Sequence, residues 1–224
     1  MSFSVIPWSY SSMTAFETCP RRYYLTKVTE DVSDPPGEAA LHGTMVHKAI
    51  EDYLNGAAEF PDKYGQYRRT VDAVKAACGV LSVEHKFALT RGFKPTDFFG
   101  KDAWVRGVFD VHVVSGANAT VLDWKLGKIK EDHEQLKLFA AATFAAAPEV
   151  QSVKTGYVWL AHNKVTKQTF DRDEAPGIWQ EYLPRVRRLE KAQETGNFPP
   201  KPSGLCKAWC PCTRAHCEFS GRLK

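Results

Sequence analysis

Two short runs, Val105-Arg106-Gly107-Val108-Phe109-Asp110 and Thr120-Val121-Leu122-Asp123-Trp124-Lys125, constrain this chain more than any other stretch. Both are rich in β-branched and aromatic residues, and Ser115-Gly116-Ala117-Asn118 between them is turn chemistry, so they predict neighbouring strands of a hairpin. Side chains alternate across a strand, so Asp123 and Lys125, two residues apart, project from the same face. By the same alternation Val105, Gly107, Phe109, Val111 and Val113 share one face, while Arg106, Val108, Asp110 and His112 share the other. Asp110 thus falls on the more polar face. A surface salt bridge on a hairpin is one reading of these charges, and a hydrolytic metal site is the other.

The rest of the chain is punctuated clearly enough to place further elements. Residues 8–28 predict an N-terminal helix entered through Ser11-Ser12, and 43–55 a second helix ended by Asn55-Gly56. A helix over 62–77 carries Val71, Val74 and Ala77 on one side, and strands follow at 80–89, 104–114 and 120–126. An alanine-rich helix over 132–146 stops at Pro148, strands at 153–161 and 165–170 are joined by His162-Asn163-Lys164, and a long helix covers 176–195. The stretch Asn197-Phe198-Pro199-Pro200-Lys201-Pro202 then links to a cysteine-rich end. At 224 residues the chain is expected to form a single domain over 1–224.

Other motifs keep company with the two strands. Gly43-Thr44-Met45-Val46-His47 lies upstream, Ser82-Val83-Glu84-His85-Lys86-Phe87 forms another strand-like run, and Gln135-Leu136-Lys137-Leu138-Phe139 follows. In this order the series resembles the PD-(D/E)xK nucleases, specifically their RecB-like branch, which includes the AddB-type and CRISPR-adaptation nucleases. The resemblance covers nearly the whole chain and implies an α/β fold with a restriction-endonuclease-like αβββαβ core, a mixed sheet flanked by helices. It implies His47, Asp110 and Asp123 as metal ligands, Lys125 as the catalytic lysine, and Gln135 as the start of the branch's QxxxY element. Phe139 stands where that element has tyrosine, which removes any role needing a phenolic hydroxyl. Glu84 matches a carboxylate that often precedes the Asp strand in this branch, although Glu84 and Lys86 can equally be solvated edge charges. His47 taken alone reads as a residue of an amphipathic helix, since Met45, Val46, Ala49, Ile50, Tyr53 and Leu54 have helical spacing.

The residue types fit that chemistry independently. Hydrolysing a phosphodiester requires an activated water and positive charge where the transition state builds negative charge. Carboxylate oxygens suit Mg²⁺ or Mn²⁺, and an imidazole moves the preference towards Mn²⁺. Lys125 can orient or deprotonate the water, or screen the phosphate, and a neighbouring metal ion would favour a lowered ammonium pKa.

The chain has six cysteines, of which Cys206, Cys210, Cys212 and Cys217 crowd the C-terminal end, Cys19 lies near the start, and Cys78 follows a predicted helix as an ordinary buried thiol. The segment around Cys19, Ser11 to Tyr24, also resembles the RecB-like branch. In that branch's iron–sulfur members, one N-terminal and three C-terminal cysteines hold a [4Fe–4S] cluster that staples the ends of the domain together. The resemblance implies Cys19, Cys206, Cys210 and Cys217 as ligands, with 1–30 and 197–224 forming the staple and Cys212 a bystander or substitute ligand. A zinc site of four thiolates, or three with His216, is the alternative. Disulfides fit poorly with an intracellular chain.

Composition bounds the function classes. No apolar run is long enough to span a bilayer and residues 1–4 lack a secretory pattern, so a cytoplasmic protein of a bacterial or phage-infected cell is expected. The net charge of +4 permits nucleic-acid binding without demanding it, and basic groups cluster at Arg21-Arg22, Arg68-Arg69, Lys125-Lys128-Lys130 and Arg185-Arg187-Arg188. Trp104, Phe98, Phe99 and Tyr64 can stack on unpaired bases or serve as core. The reading is a metal-dependent DNA exonuclease or endonuclease of recombination, repair or phage replication. No GxxxxGK[ST] motif is present, so any helicase activity comes from a partner protein. A non-catalytic nucleic-acid-binding module of the same fold is the alternative, and a redox protein is disfavoured by the absence of a CxxC pair.

Overall fold

A computed structural model describes residues 6–222; the 1–4 start read above lies outside them. In chain order the elements are α1 (Tyr10–Thr18), α2 (Pro20–Tyr23) running into a π-turn (Tyr24–Val28), α3 (Glu38–Leu54), a 3₁₀ stretch (Asp62–Tyr67) leading into α4 (Arg68–Lys75), strands β1 (Val80–Leu89), β2 (Val105–Ser115) and β3 (Asn118–Lys125), α5 (Glu134–Ala146), β4 (Ser152–Trp159), β5 (Lys164–Asp171), α6 (Ala175–Thr195) and α7 (Leu205–Ala208). The chain divides into two compact units, a terminal one (Met1–Pro36 with Tyr182–Lys224) and a central one (Gly37–Glu181).

The central unit holds one five-stranded mixed sheet in the order β1-β2-β3-β4-β5. The first three strands are antiparallel, β3 and β4 are parallel because α5 carries the chain back between them, and β5 closes the edge antiparallel to β4. Helices flank the sheet, as the α/β reading expected. Val46, Ile50 and Leu54 of α3 and Val71 of α4 form one core with Val111, Val113 and Trp124. A second aromatic packing sets Phe139 of α5 edge-on against Phe87 and Phe109, with centroids 6.1 and 5.0 Å apart. Gly107 makes room for this stack: a Cβ there would lie 2.3 Å from the Phe87 ring. Phe139, at the place of the expected tyrosine, is wholly a core residue.

Alternation misassigns His112. It shares Asp110's parity, yet it packs with Phe109 and His85, at 5.0 and 5.6 Å between centroids, and is only 7 % exposed. The cause lies between the pairs Val83↔Val111 and His85↔Phe109, where Glu84 sits opposite Asp110 with a left-handed φ of 49°. Non-glycine residues rarely adopt such a φ, and regular alternation does not survive it.

In the terminal unit the expected 8–28 helix is broken. Ser9, rather than Ser11-Ser12, caps α1: its hydroxyl accepts from the Ser12 N–H at 3.1 Å, while the Ser12 hydroxyl accepts from the Ser9 N–H at 2.8 Å. The helix ends at Cys19, whose backbone is extended (φ −161°, ψ 109°) because Pro20 follows, and Pro20 opens α2 at its first position. Arg185 holds Glu17 with two hydrogen bonds of 2.8 and 2.7 Å, and Arg188 adds a third at 3.2 Å. Much of that basic cluster is thus engaged structurally. Cys78 is exposed instead of buried, because α4 ends at Lys75 and leaves it in the turn before β1. Among the described residues no helix is long and apolar enough to cross a membrane.

Candidate metal centre

The site in the central unit forms where strand pairing stops. The last paired rung between β2 and β3 towards the site is Val111↔Leu122, so Asp110 and Asp123 lie just beyond it. The Trp124 N–H, outside that ladder, donates to Asp110 Oδ2 at 2.8 Å. On α3, Val46 and Ile50 face the core, and the adjacent His47 places Nε2 3.1 Å from the Trp124 carbonyl. A carbonyl only accepts, so Nε2 carries the hydrogen and Nδ1 presents its lone pair 3.5 Å from Asp110 Oδ2. Glu84, held by its unusual backbone, completes a set: ligand atoms of His47, Glu84 and Asp110 lie within 4.8 Å of one another.

Asp123 stands outside that set. It is 4 % exposed, which removes the surface-salt-bridge reading, and its Oδ2 is 2.5 Å from Lys125 Nζ. Lys125 also donates to Gln135 Oε1 at 3.4 Å and lies 5.0 Å from the centroid of the Tyr157 ring. Tyr157 pairs with Asp123 in the parallel β3/β4 register. Tyr157 and the Trp124 backbone escaped the sequence reading, because both depend on register between strands distant in sequence.

The electrostatics are those of a site that wants positive charge. Burial, then repulsion from Asp123, pushes the Asp110 carboxyl up to about 8. Burial also raises Asp123, against the opposing pull of Lys125. Glu84 is raised by burial and by the charges of Glu51 and Asp123, while burial lowers His47. Three carboxyls disfavoured as anions beside an available imidazole nitrogen suit a divalent cation, which would remove the repulsion they share.

The terminal unit carries the second cluster. Cys19, Cys206, Cys210, Cys212 and Cys217 line one cavity with Arg21, Arg22 and Lys201, and all of them are free thiols. The Lys201 N–H donates to Cys19 Sγ at 3.5 Å and the Ser203 N–H to Cys206 Sγ at 3.4 Å. Cys212, 1 % exposed, packs with Leu25 and Val32, and burial with its thiol neighbours Cys210, Cys217 and Cys19 pushes its thiol up to about 12. Among the described residues no three cysteine sulfurs lie within 4.8 Å of one another.

Residues 7–219 match the PD-(D/E)XK nuclease superfamily. A solved structure from Eubacterium rectale, named as a candidate exonuclease, is 12% identical, superposes with a TM-score of 0.54, and the match covers 89% of this chain and 85% of that one. That likeness concerns the fold. SSO0001 is 13% identical over 86% of this chain and 78% of its own, with a TM-score of 0.41. No curated protein matches.

Proposed function

Because the chain belongs to the PD-(D/E)XK nuclease superfamily, we propose that it is a metal-dependent deoxyribonuclease of the RecB-like branch, acting on DNA ends or single strands in recombination, repair or phage replication. The observation that carries the reading is the convergence of His47, Glu84 and Asp110, with Asp123 and Lys125 beside them. His47, Glu84, Asp110 and Asp123 would hold Mg²⁺ or Mn²⁺. A bound divalent cation supplies positive charge to the scissile phosphate and acidifies water at the site. Asp123 and Gln135 hold the Lys125 ammonium in place, at 2.5 and 3.4 Å, so that it can donate to the attacking water or a phosphate oxygen without first being ordered. Exposed Lys128 and Lys130, in the stretch leaving β3, are available to phosphates further along the strand.

The thiols of the terminal unit fit a [4Fe–4S] cluster held by Cys19, Cys206, Cys210 and Cys217. A mononuclear zinc site would draw its sulfurs to roughly 3.8 Å apart, given Zn–S bonds of about 2.3 Å. A [4Fe–4S] cubane would instead take one thiolate on each iron around its outside. Arg21 and Arg22 on the cavity wall offset the charge of such a group, and the N–H donors to Cys19 and Cys206 stabilise thiolates. A helicase or recombination protein acting with the nuclease is part of this reading, and a cytoplasmic location fits thiols kept reduced.

The test is cleavage of end-labelled single-stranded, linear duplex and closed-circular DNA with Mg²⁺, with Mn²⁺ and with EDTA. Cleavage that needs the metal and is lost in Asp110→Asn supports the reading; a protein that cleaves no DNA with either metal, or an Asp110→Asn variant of wild-type rate, sinks it.

A further inference from the structure

Of the aromatic residues available for stacking on bases, Trp104 and Tyr64 are each 6 % exposed and serve as core, whereas Phe99 is 78 % exposed. It sits in the 90–104 loop between β1 and β2, and this loop is braced along its length. Thr96 N–H donates to Ala88 O at 3.1 Å, Trp104 N–H to Leu89 O at 2.8 Å, and Gly100 N–H to Asp97 O at 2.8 Å. The Thr96 hydroxyl donates to Asp102 Oδ1 at 2.6 Å, and Gly100 is so enclosed that a Cβ would lie 2.9 Å from both Asp102 Oδ1 and the Asp97 carbonyl. A large apolar ring is therefore displayed to solvent from a structured loop.

Two cations accompany it. Lys86 Nζ lies 5.6 Å from the Phe98 centroid and 6.0 Å from that of Phe99, and Arg106 Cζ lies 5.5 and 5.7 Å from them. Phe98 meets Phe99 edge-on at 5.1 Å. Arg106 donates to the Gly100 carbonyl at 3.4 Å, joining strand to loop. The strands tie this patch to the carboxylate cluster: Lys86 follows Glu84 by two residues on β1, and Arg106 precedes Asp110 by four on β2, a distance of roughly 13 Å at about 3.3 Å per residue. A flat apolar ring beside fixed positive charge complements a base and its phosphate, a few nucleotides from the bond to be cut.

We propose that Phe99, supported by Phe98, Lys86 and Arg106, is a stacking platform for an unpaired base of the strand that enters the carboxylate cluster, which makes single-stranded or frayed DNA the preferred substrate. The proposal rests on the nuclease reading for its substrate, and its test separates the two. Binding of a fluorescent oligothymidylate and of a closed-circular duplex is measured in EDTA, where cleavage is silent. Phe99→Ala and Phe99→Leu are expected to weaken oligothymidylate binding about tenfold, with the duplex changed far less, and Phe99→Trp to restore it; unchanged melting temperatures show that the variants fold. Variants that bind oligothymidylate like the wild type, or lose both DNAs alike, overturn the platform while leaving metal-dependent cleavage intact. A wild-type protein that binds single strands through Phe99 yet cuts nothing with Mg²⁺ or Mn²⁺ supports the platform and overturns the nuclease reading.

Discussion

The carboxylate cluster and the cysteine cluster are held in opposite ways. The first is fixed by regular structure: strand ends, a backbone N–H from Trp124 and a helix residue set its geometry in the absence of any ion. What it lacks is charge balance, since the partly buried Asp110 and the buried Asp123 are acids that repel one another. The second is charge-neutral as thiols but stands on short elements, the four-residue helices α2 and α7 among them. Metal at the first site would relieve strain in a scaffold that exists already, whereas a cluster at the second would supply the cross-links that such short elements lack.

The carboxylate half of this contrast breaks if neutralising an acid unfolds the chain. Asp110→Asn and Asp123→Asn are expected to cut metal-dependent cleavage by about 10²–10³-fold or more, while Asp110→Asn raises the melting temperature in EDTA. The sign follows from the shift: a carboxyl raised from 3.8 to about 8 in the folded state costs stability increasingly as pH climbs through that window. At pH 7 the amide removes that cost. Melting curves in EDTA and in Mn²⁺ check this; Asp110→Asn should also lose the stabilisation that the metal gives the wild type.

The opposite outcome is expected at the cysteines. Protein purified without oxygen should be brown, absorb near ~400 nm and hold about four irons per chain. Cys19→Ser should bleach it and lower its melting temperature, and Cys78→Ser, at an exposed position outside the cavity, should do neither. A colourless preparation with one tightly bound zinc would replace the cluster and leave the nuclease reading standing. If Cys212→Ser bleaches the protein and Cys210→Ser does not, the ligand set changes but the contrast holds.

How far each site was legible follows from which part of it is local. β1 has the bounds that its apolar run predicts, Val80–Leu89, since period and flanking turn residues reside in the sequence itself. Asp123 and Lys125 were readable for the same reason. The participation of Glu84 depends on a left-handed φ opposite Asp110, and no local pattern announces that. The break at Cys19 does have a local signal, Pro20, which disfavours helical backbone at the residue before it. Alternation puts His112 on the wrong face because it does not carry through the distortion at Glu84 and Asp110. Among the cysteines, convergence was inferable from resemblance, but the burial of Cys212 against Leu25 and Val32 is a property of packing alone.

His112 sharpens the account of buried charge without touching the metal site. Burial, then the neighbouring His85, lowers it from 6.5 to about 4, and its Nε2 has no hydrogen-bond partner within the described chain. The unfolded state takes up the proton first as pH falls, so this contribution to stability is full above pH 6.5 and is lost between 6.5 and about 4. The loss amounts to roughly 3 kcal/mol. Urea unfolding at pH 7 and pH 4.5 should show a smaller acid loss in His112→Phe than in the wild type. Equal losses would place the acid sensitivity elsewhere.

Lys125 gives the smallest effect and the finest discrimination, because it belongs to the preordered scaffold yet carries the charge that its cluster lacks. Held 2.5 Å from Asp123, it already offsets part of the buried acid, so Lys125→Ala should leave Asp123 more strongly protonated. Its larger consequence is chemical. With saturating Mn²⁺, the single-turnover rate should fall at least tenfold, about 1.4 kcal/mol of barrier, with DNA affinity in EDTA little changed. Lys125→Arg should not recover the rate, since a guanidinium is always charged and its planar fork cannot reproduce the point contact of an ammonium between Asp123, Gln135 and the Tyr157 ring. A large loss of affinity with an unchanged single-turnover rate would make Lys125 a phosphate contact, and the positive charge that the chemistry needs would then rest with the cation alone.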